Sequence, residues 1–195
     1  HVRSRRQRQM CIRDRYRMND EIMRFSSEWF YQGELKSAPE VKYRSILDYD
    51  TPIEWINTEG MECNEEFVGE SFGRINKEEA ALSISQLTNY INKIGKDRFL
   101  EERIDVGLIS PYKAQVQYLR QLIKRDTFFK PYRHLITINT VDGFQGQERD
   151  VILISLVRAN EEGQIGFLND LRRMNVAITR CLLYTSDAAD DSLRV

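Results

Sequence analysis

Cysteine and histidine are scarce in this chain, and so are long apolar runs and phosphate-binding glycine loops. Each scarcity removes a class of explanation. Three widely spaced cysteines (Cys11, Cys63, Cys181) and two histidines (His1, His134) cannot assemble a Cys/His zinc cluster, and they do not form the dense framework of a disulfide-stapled secreted domain. A reducing, cytoplasmic setting is the expectation. No stretch approaches the roughly 18 consecutive apolar residues that a membrane helix needs, and the basic beginning leads into no apolar signal core. The one Gly-Lys pair, Gly95-Lys96, is followed by Asp97 and has Tyr90 where the first glycine of a Walker A loop would stand, so the loop that could bind phosphates unaided is absent. No nucleophile elbow or acid–base pair with an obvious partner is visible either.

What is present is an ordinary globular balance, with 41% hydrophobic and 30% charged residues over 195 positions, enough for one good-sized domain. The net charge of −1 is unevenly spread. Residues 1–15 hold six Arg and one Asp, residues 181–195 carry −2, and the intervening 16–180 therefore carries −4. A mildly acidic body does not attract polyanions at long range. Any nucleic-acid binding must come from local geometry.

The two ends look foreign to the rest. HVRSRRQRQMCIRD has no periodicity, and CLLYTSDAADDSLRV breaks off where a helix should hand over to a strand. Both resemble translated adapter-derived tails, the other reading being a basic nucleic-acid-binding arm and a ragged acidic end. The expectation is a domain over 16–180, with 1–15 and 181–195 as non-native or disordered tails.

Between them, strand and helix patterns alternate. Asn19–Tyr31 reads as a helix with an apolar stripe of Ile22, Phe25, Trp29 and Phe30, stopped by Gly33. Residues 34–53 read as loop, Ile53–Asn57 as a short strand, and Glu59–Gly73 as a polar connection. Asn76 followed by Glu79 is a capping-box variant opening a helix to about Ile94, with Ala80, Ile84, Leu87 and Ile91 inward. Ile104–Ile109 reads as a strand. Ser110-Pro111 then reads as N-cap and first helical residue, with Val116, Leu119 and Ile123 lining the helix that follows. Alternation of this kind implies an α/β fold with a parallel sheet flanked by helices.

The stretch from Leu135 to Arg180 organises the rest. Two β-branched runs, Leu135–Asn139 and Val151–Val157, bracket a polar loop holding Asp142, Gly143, Gln145, Gly146 and Glu148. The ten-residue connector 141–150 is long for a hairpin and short for a parallel crossover; one helical turn at about Val141–Gln145 would suit it to a tight crossover. A helical segment, Asp170–Arg180, follows, with Leu171, Met174 and Ile178 on one face and Arg172, Arg173 and Arg180 on others. Polar loops at strand ends beside a helix that aims arginines suit an anion site.

Four segments carry a family resemblance: YRMNDEIMRFSSEWFYQGEL (16–35), VGLISPYKAQVQYLRQLI (106–123), TINTVDGFQGQERDVILISLVRAN (137–160) and GFLNDLRRMNVAITR (166–180). Together they resemble the YRM segment and motifs IV, V and VI of the second, C-terminal RecA-like lobe of superfamily 1 helicases, in the Upf/Senataxin-like branch. TVDGFQGQE followed at this distance by RRMNVAITR is highly specific. The resemblance implies a RecA-like parallel sheet of the P-loop NTPase type without its phosphate loop, and parallel strands on either side of motif V.

It also implies roles. Arg180 matches the motif VI arginine that reaches the ATP γ-phosphate across the lobe interface, and Arg17 a second arginine with the same task; planar, permanently charged donors suit a transferring phosphoryl. Tyr16 matches the aromatic that stacks on the ATP base. Glu148, Gln145 and Gly146 match nucleotide-site positions in motif V, Glu148 accepting from a ribose hydroxyl. Ser110, Pro111, Tyr112, Thr140 and Asp142 match positions that hold successive phosphates of a single DNA or RNA strand. The implied cofactor is ATP with Mg²⁺, whose metal ligands belong to a first RecA-like lobe that is not in this sequence. That lobe is the implied protein partner, and the fragment alone is expected to be inactive.

Two departures stand out. The family usually has Gln before YRM, where this chain has Arg15, and it continues after motif VI into a basic residue and a final apolar strand, where this chain has CLLYTSDAAD. Two other functional readings compete: a non-catalytic nucleic-acid-binding scaffold, and the motor lobe of a nuclease-fused repair or defence protein.

Overall fold

The computed structural model describes residues 14–15, 18–37, 39, 42–43, 45–47, 51–58, 60–69, 73–144, 147–160 and 163–189. The elements run β1 (Asp14–Arg15), α1 (Asp20–Phe30), β2 (Lys36–Ser37), β3 (Ile53–Asn57), β4 (Glu66–Val68), β5 (Gly73–Ile75), α2 (Lys77–Ile94), α3 (Lys96–Glu101), β6 (Val106–Ser110), α4 (Lys113–Arg125), β7 (Ile136–Thr140), β8 (Arg149–Ser155), α5 (Leu171–Ile178) and β9 (Cys181–Ala189). Five of the strands form one parallel sheet in the order β3-β9-β8-β6-β7.

Alternation along the strands builds two cores on this sheet. Val106, Leu108, Val151 and Leu153 face α2 and α4, meeting Ala80, Leu87, Ile91, Val116, Leu119 and Ile123. Ile109, Ile152 and Ile154 face the other way, toward Ile22 and Met23 of α1 and Ala177 of α5. Buried on both faces, β6 and β8 read as near-continuous apolar runs, as central parallel strands do. The α/β reading of the sequence holds: a RecA-like parallel sheet flanked by helices.

The motif V connector resolves as a crossover. β7 and β8 pair with opposite sides of β6, both parallel to it, so the chain passes over β6 between them. A 3₁₀ turn at Asp142–Phe144 starts the passage, and Phe144 packs into the α1/α5 core. Gly107 of β6 makes room for it: a Cβ there would lie 2.6 Å from Ile152 Cδ1 and 3.0 Å from Phe144 Cε1.

Several local expectations shift. In α1 the buried positions are Ile22, Met23, Ser26 and Ser27, while Trp29 is 63% exposed; the helix docks through a mixed face of two apolar residues and two serines and leaves Trp29 outside. In α5 the deeply buried residue is Ala177, and Leu171, expected inward, is exposed. The connection from Glu59 to Gly73 contains an antiparallel hairpin, β4–β5. Ser110 ends β6 rather than capping α4, and the residue before the helix is Tyr112, with no side-chain cap.

The end of the chain contributes one more strand to the sheet. Where a tail over 181–195 is the sequence expectation, the backbone of Cys181–Ala189 forms β9, paired in parallel with β8 on one side and β3 on the other, with a register slip between Arg149 and Val151. Leu-Leu-Tyr-Thr is a β-favouring run, and a strand between β8 and β3 satisfies backbone groups that would otherwise lack partners. The expected tail over 1–15 falls outside the described residues apart from Asp14 and Arg15, whose backbone pairs with Lys36 and Ser37.

Candidate functional site

Because the sheet is parallel, its two ends differ chemically, and the expected site residues sort onto them. At the amino ends of β8 and β9 lie Glu148 and Arg180. Their segments are joined by the backbone: Arg149 N–H donates to Arg180 O at 3.1 Å. Arg180 follows α5 and folds back on the helix end, its Nε donating to Val176 O at 3.1 Å and an Nη to Thr179 Oγ1 at 3.4 Å. A cation at the carbonyl end of a helix is favourably placed, and these two bonds hold the half-buried guanidinium against the helix end. Chemically this is a planar, permanently charged donor fork fixed at the amino end of the sheet, of the kind that pairs with oxyanions.

Arg149 braces the same corner, donating to Thr137 Oγ1 at 3.1 Å and Gln147 Oε1 at 2.9 Å. Tyr16, Arg17, Gln145 and Gly146 lie outside the described residues. Among the described residues no His/Cys/Asp/Glu group could hold a metal ion.

The opposite end collects the residues expected to touch nucleic acid. Ser110 and Thr140 end neighbouring strands and are register partners. Ser110 is buried, and its Oγ accepts Tyr112 N–H at 3.4 Å. Thr140 Oγ1 accepts Gly143 N–H at 3.2 Å, opening the turn that exposes Asp142. A Cβ on Gly143 would meet the Asn139 carboxamide at 2.5 Å, so any larger residue there has to displace that side chain. Pro111 and Tyr112 are half-buried beside them.

A polar network behind this end escapes sequence reasoning. Asn76 caps α2 by accepting Glu79 N–H at 3.0 Å, but the reciprocal half of the capping box is not made. Glu79 turns instead to Val157, accepting its N–H at 2.8 and 3.1 Å. The Asn76 N–H goes to Gln115 Oε1 at 3.0 Å, and Gln115 Nε2 donates to Asn76 O at 2.9 Å and Ser155 Oγ at 3.0 Å. Burial pushes the Glu79 carboxyl up to about 7, opposed by hydrogen bonds from Val157, Ser155 and Leu156. Next in the chain, the buried Arg158 pairs with Glu65 at 3.1 Å, and Glu65 also holds Arg74. The signal available in the sequence was the Asn76–Glu79 spacing, which announced the cap and not the long-range bond.

Comparison with known proteins fits this architecture. A family model described as AAA domain matches residues 1–183. The chain is 38% identical over 180 residues to an uncharacterized ATP-dependent helicase of Methanocaldococcus jannaschii, covering 85% of this chain and 24% of that protein. It is 36% identical over 181 residues to the DNA polymerase alpha-associated DNA helicase A of Saccharomyces cerevisiae (85% and 25%). With a regulator of nonsense transcripts 1 homolog of Drosophila melanogaster it shares 37% over 175 residues (85% and 14%). The chain thus spans about a quarter or less of the length of these relatives. In fold it is similar to a crystal structure of the C-terminal domain of a possible DNA helicase from Lactobacillus plantarum, with a TM-score of 0.51 at 12% identity over 91% of this chain and 89% of that one. Motifs, parallel sheet and relatives agree, and the chain belongs to the AAA domain family as a second RecA-like lobe of the Upf/Senataxin-like branch of superfamily 1.

Proposed function

We propose that in the intact protein this lobe is the second half of an ATP-dependent DNA or RNA helicase or single-strand translocase. The observation that carries the reading is the division of the sheet. Glu148 and Arg180 stand together at the amino ends of β8 and β9, joined through Arg149 N–H and Arg180 O, while Ser110 and Thr140 stand in register at the carboxyl ends of β6 and β7. One rigid sheet then has a nucleotide end and a strand-gripping end, so movement of the lobe during the ATP cycle displaces the grip.

On this reading Arg180, with Arg17, serves the γ-phosphate of ATP bound chiefly by a first RecA-like lobe that also holds Mg²⁺. Tyr16 stacks on the base, and Glu148, Gln145 and Gly146 line the nucleotide. Bound ATP supplies the free energy of phosphoryl transfer, and this chain's residues orient and neutralise charge. Ser110, Pro111, Tyr112, Thr140 and Asp142 hold the single strand through its backbone, giving grip without sequence preference. The reading is tested by phosphate release from the intact protein with and without single-stranded DNA or RNA. Stimulated turnover that depends on Arg180 supports it. Strand binding without any turnover would favour the non-catalytic scaffold instead.

A further inference from the structure

Val157 is a β-branched residue in the left-handed backbone region, with φ of +73°. Such residues rarely adopt this conformation, which costs about 1–3 kcal/mol and persists only where the surroundings impose it. Here the surroundings are explicit. Glu79 takes the Val157 N–H with both oxygens, and Asn76 Nδ2 donates to Val157 O at 3.3 Å. Both polar groups of one strained residue are thus gripped by side chains from the first turn of α2.

The consequence falls on Arg158. β8 ends at Ser155, and the left-handed residue turns the chain so that Arg158 enters the fold instead of continuing the strand. Its guanidinium meets Glu65 and donates to Gln164 O. It also reaches Gly166, as does Tyr112: a Cβ on Gly166 would stand 3.2 Å from the Tyr112 hydroxyl and 3.3 Å from Arg158 Nη1. Arg158 and Tyr112 therefore converge on one glycine. Gln115, three residues beyond Tyr112, ties α4 to the same clamp through Asn76 and Ser155.

We propose that Glu79 is a positioning residue for the single-strand grip: by holding Val157 left-handed it brings Arg158 to Gly166, where the Tyr112 hydroxyl also arrives, and so fixes the Ser110–Tyr112 turn in its binding shape. The inference rests on the strand-gripping role proposed above for that turn. Glu79 touches no strand itself and acts through Val157 and Arg158.

The test is binding of the full chain to fluorescein-labelled oligo-dT and oligo-rU at low salt, beside amide hydrogen exchange at Val157. Glu79→Ala should weaken binding about tenfold, the scale of one lost hydrogen bond to a charged group, and speed exchange at Val157. Glu79→Gln keeps an acceptor oxygen and should bind more tightly than Glu79→Ala. Val157→Gly removes the conformational cost, so Glu79→Ala combined with Val157→Gly should recover much of the lost affinity. If Glu79→Ala alone does not fold, Glu79→Gln and the double variant decide, and equal weakness in both overturns the proposal. A folded Glu79→Ala that binds like wild type overturns this inference and leaves the strand-gripping reading standing. A wild-type chain that ignores both oligonucleotides overturns the two together.

Discussion

Ser26 donates its hydroxyl hydrogen to Asn175 Oδ1 across the junction of α1 and α5. The bond joins the two helices that flank the arginine-bearing segments, since α1 begins three residues after Arg17 and α5 ends two residues before Arg180. Ser26 is fully buried, so removing its partner leaves a polar group without compensation, at a cost of about 1–3 kcal/mol. Asn175→Ala should lower the urea midpoint accordingly. Combining it with Ser26→Ala should cost less than the sum of the single changes. Additive effects would show that the contact carries no coupling.

Gly107→Ala tests the crossover. The added methyl would press on Ile152 and on the ring of Phe144, and overpacking of this kind costs about 1–3 kcal/mol. Phe144→Leu should relieve part of that in the double variant, though costly alone. The measurement is thermal unfolding of the four proteins. A neutral Gly107→Ala would mean that the motif V turn is not pinned to β6 as described.

Glu79 makes stability depend on pH in an unusual direction. Its folded pKa, about 7, lies above the ordinary carboxyl value of 4.5 because burial disfavours the charged form. The groups around it are the N–H of Val157 and Leu156, the Ser155 hydroxyl and the Cys63 thiol, itself pushed up by burial and by Glu79. A raised carboxyl contributes stability that is fully present below about 4.5 and is lost as pH rises through about 7, on the order of 3 kcal/mol in all. Wild type should therefore lose melting temperature relative to Glu79→Gln between pH 5 and pH 8, roughly the interval between the two values. Parallel melting curves for the two proteins across that range would show that Glu79 does not titrate there.

The same residues mark the limit of what the sequence discloses. Periodicity was enough for the central strands and for the inner faces of α2 and α4, because 2.0 and 3.6 residue repeats follow directly from burial on one or both faces. It misplaced the stripe of α1, where Ser26 and Ser27 are buried and Trp29 is outside. Ser26 is satisfied across the helix pair by Asn175 and Ser27 by the backbone of Leu35, which hydrophobicity alone cannot report. Asn76 and Glu79 showed as a cap, since capping is local. The bond from Glu79 to Val157, and the left-handed turn it supports, join positions 78 residues apart and leave no local signature. At the candidate site, the family resemblance grouped Glu148 with Arg180 and Ser110 with Thr140 by implied role, although Thr140 and Glu148 lie in one segment; the parallel register sets the two pairs at opposite ends of the sheet.

Arg180 offers the sharpest test of function, in the intact protein with its first lobe. Arg180→Ala removes a half-buried guanidinium whose Nε and one Nη are engaged with Val176 O and Thr179 Oγ1. Losing those bonds should cost stability by about 1 kcal/mol, so the fold and ATP binding survive. Turnover should not. An arginine supplied to a transferring phosphoryl group is worth roughly 10³–10⁵ in rate, about 4–7 kcal/mol at 1.36 kcal/mol per decade, against about 0–1 kcal/mol for a surface ion pair. The two roles are far enough apart that one steady-state assay separates them: kcat falls by orders of magnitude while KM for ATP changes little. Arg180→Lys should recover poorly, since a point charge does not reproduce the planar fork. Arg17→Ala should act in the same direction, and the double variant should cost less than the sum, as expected of two groups serving one phosphate. An Arg180→Ala protein that retains even about a third of wild-type turnover, far above the loss expected for a phosphoryl-contacting arginine, would remove Arg180 from the nucleotide site.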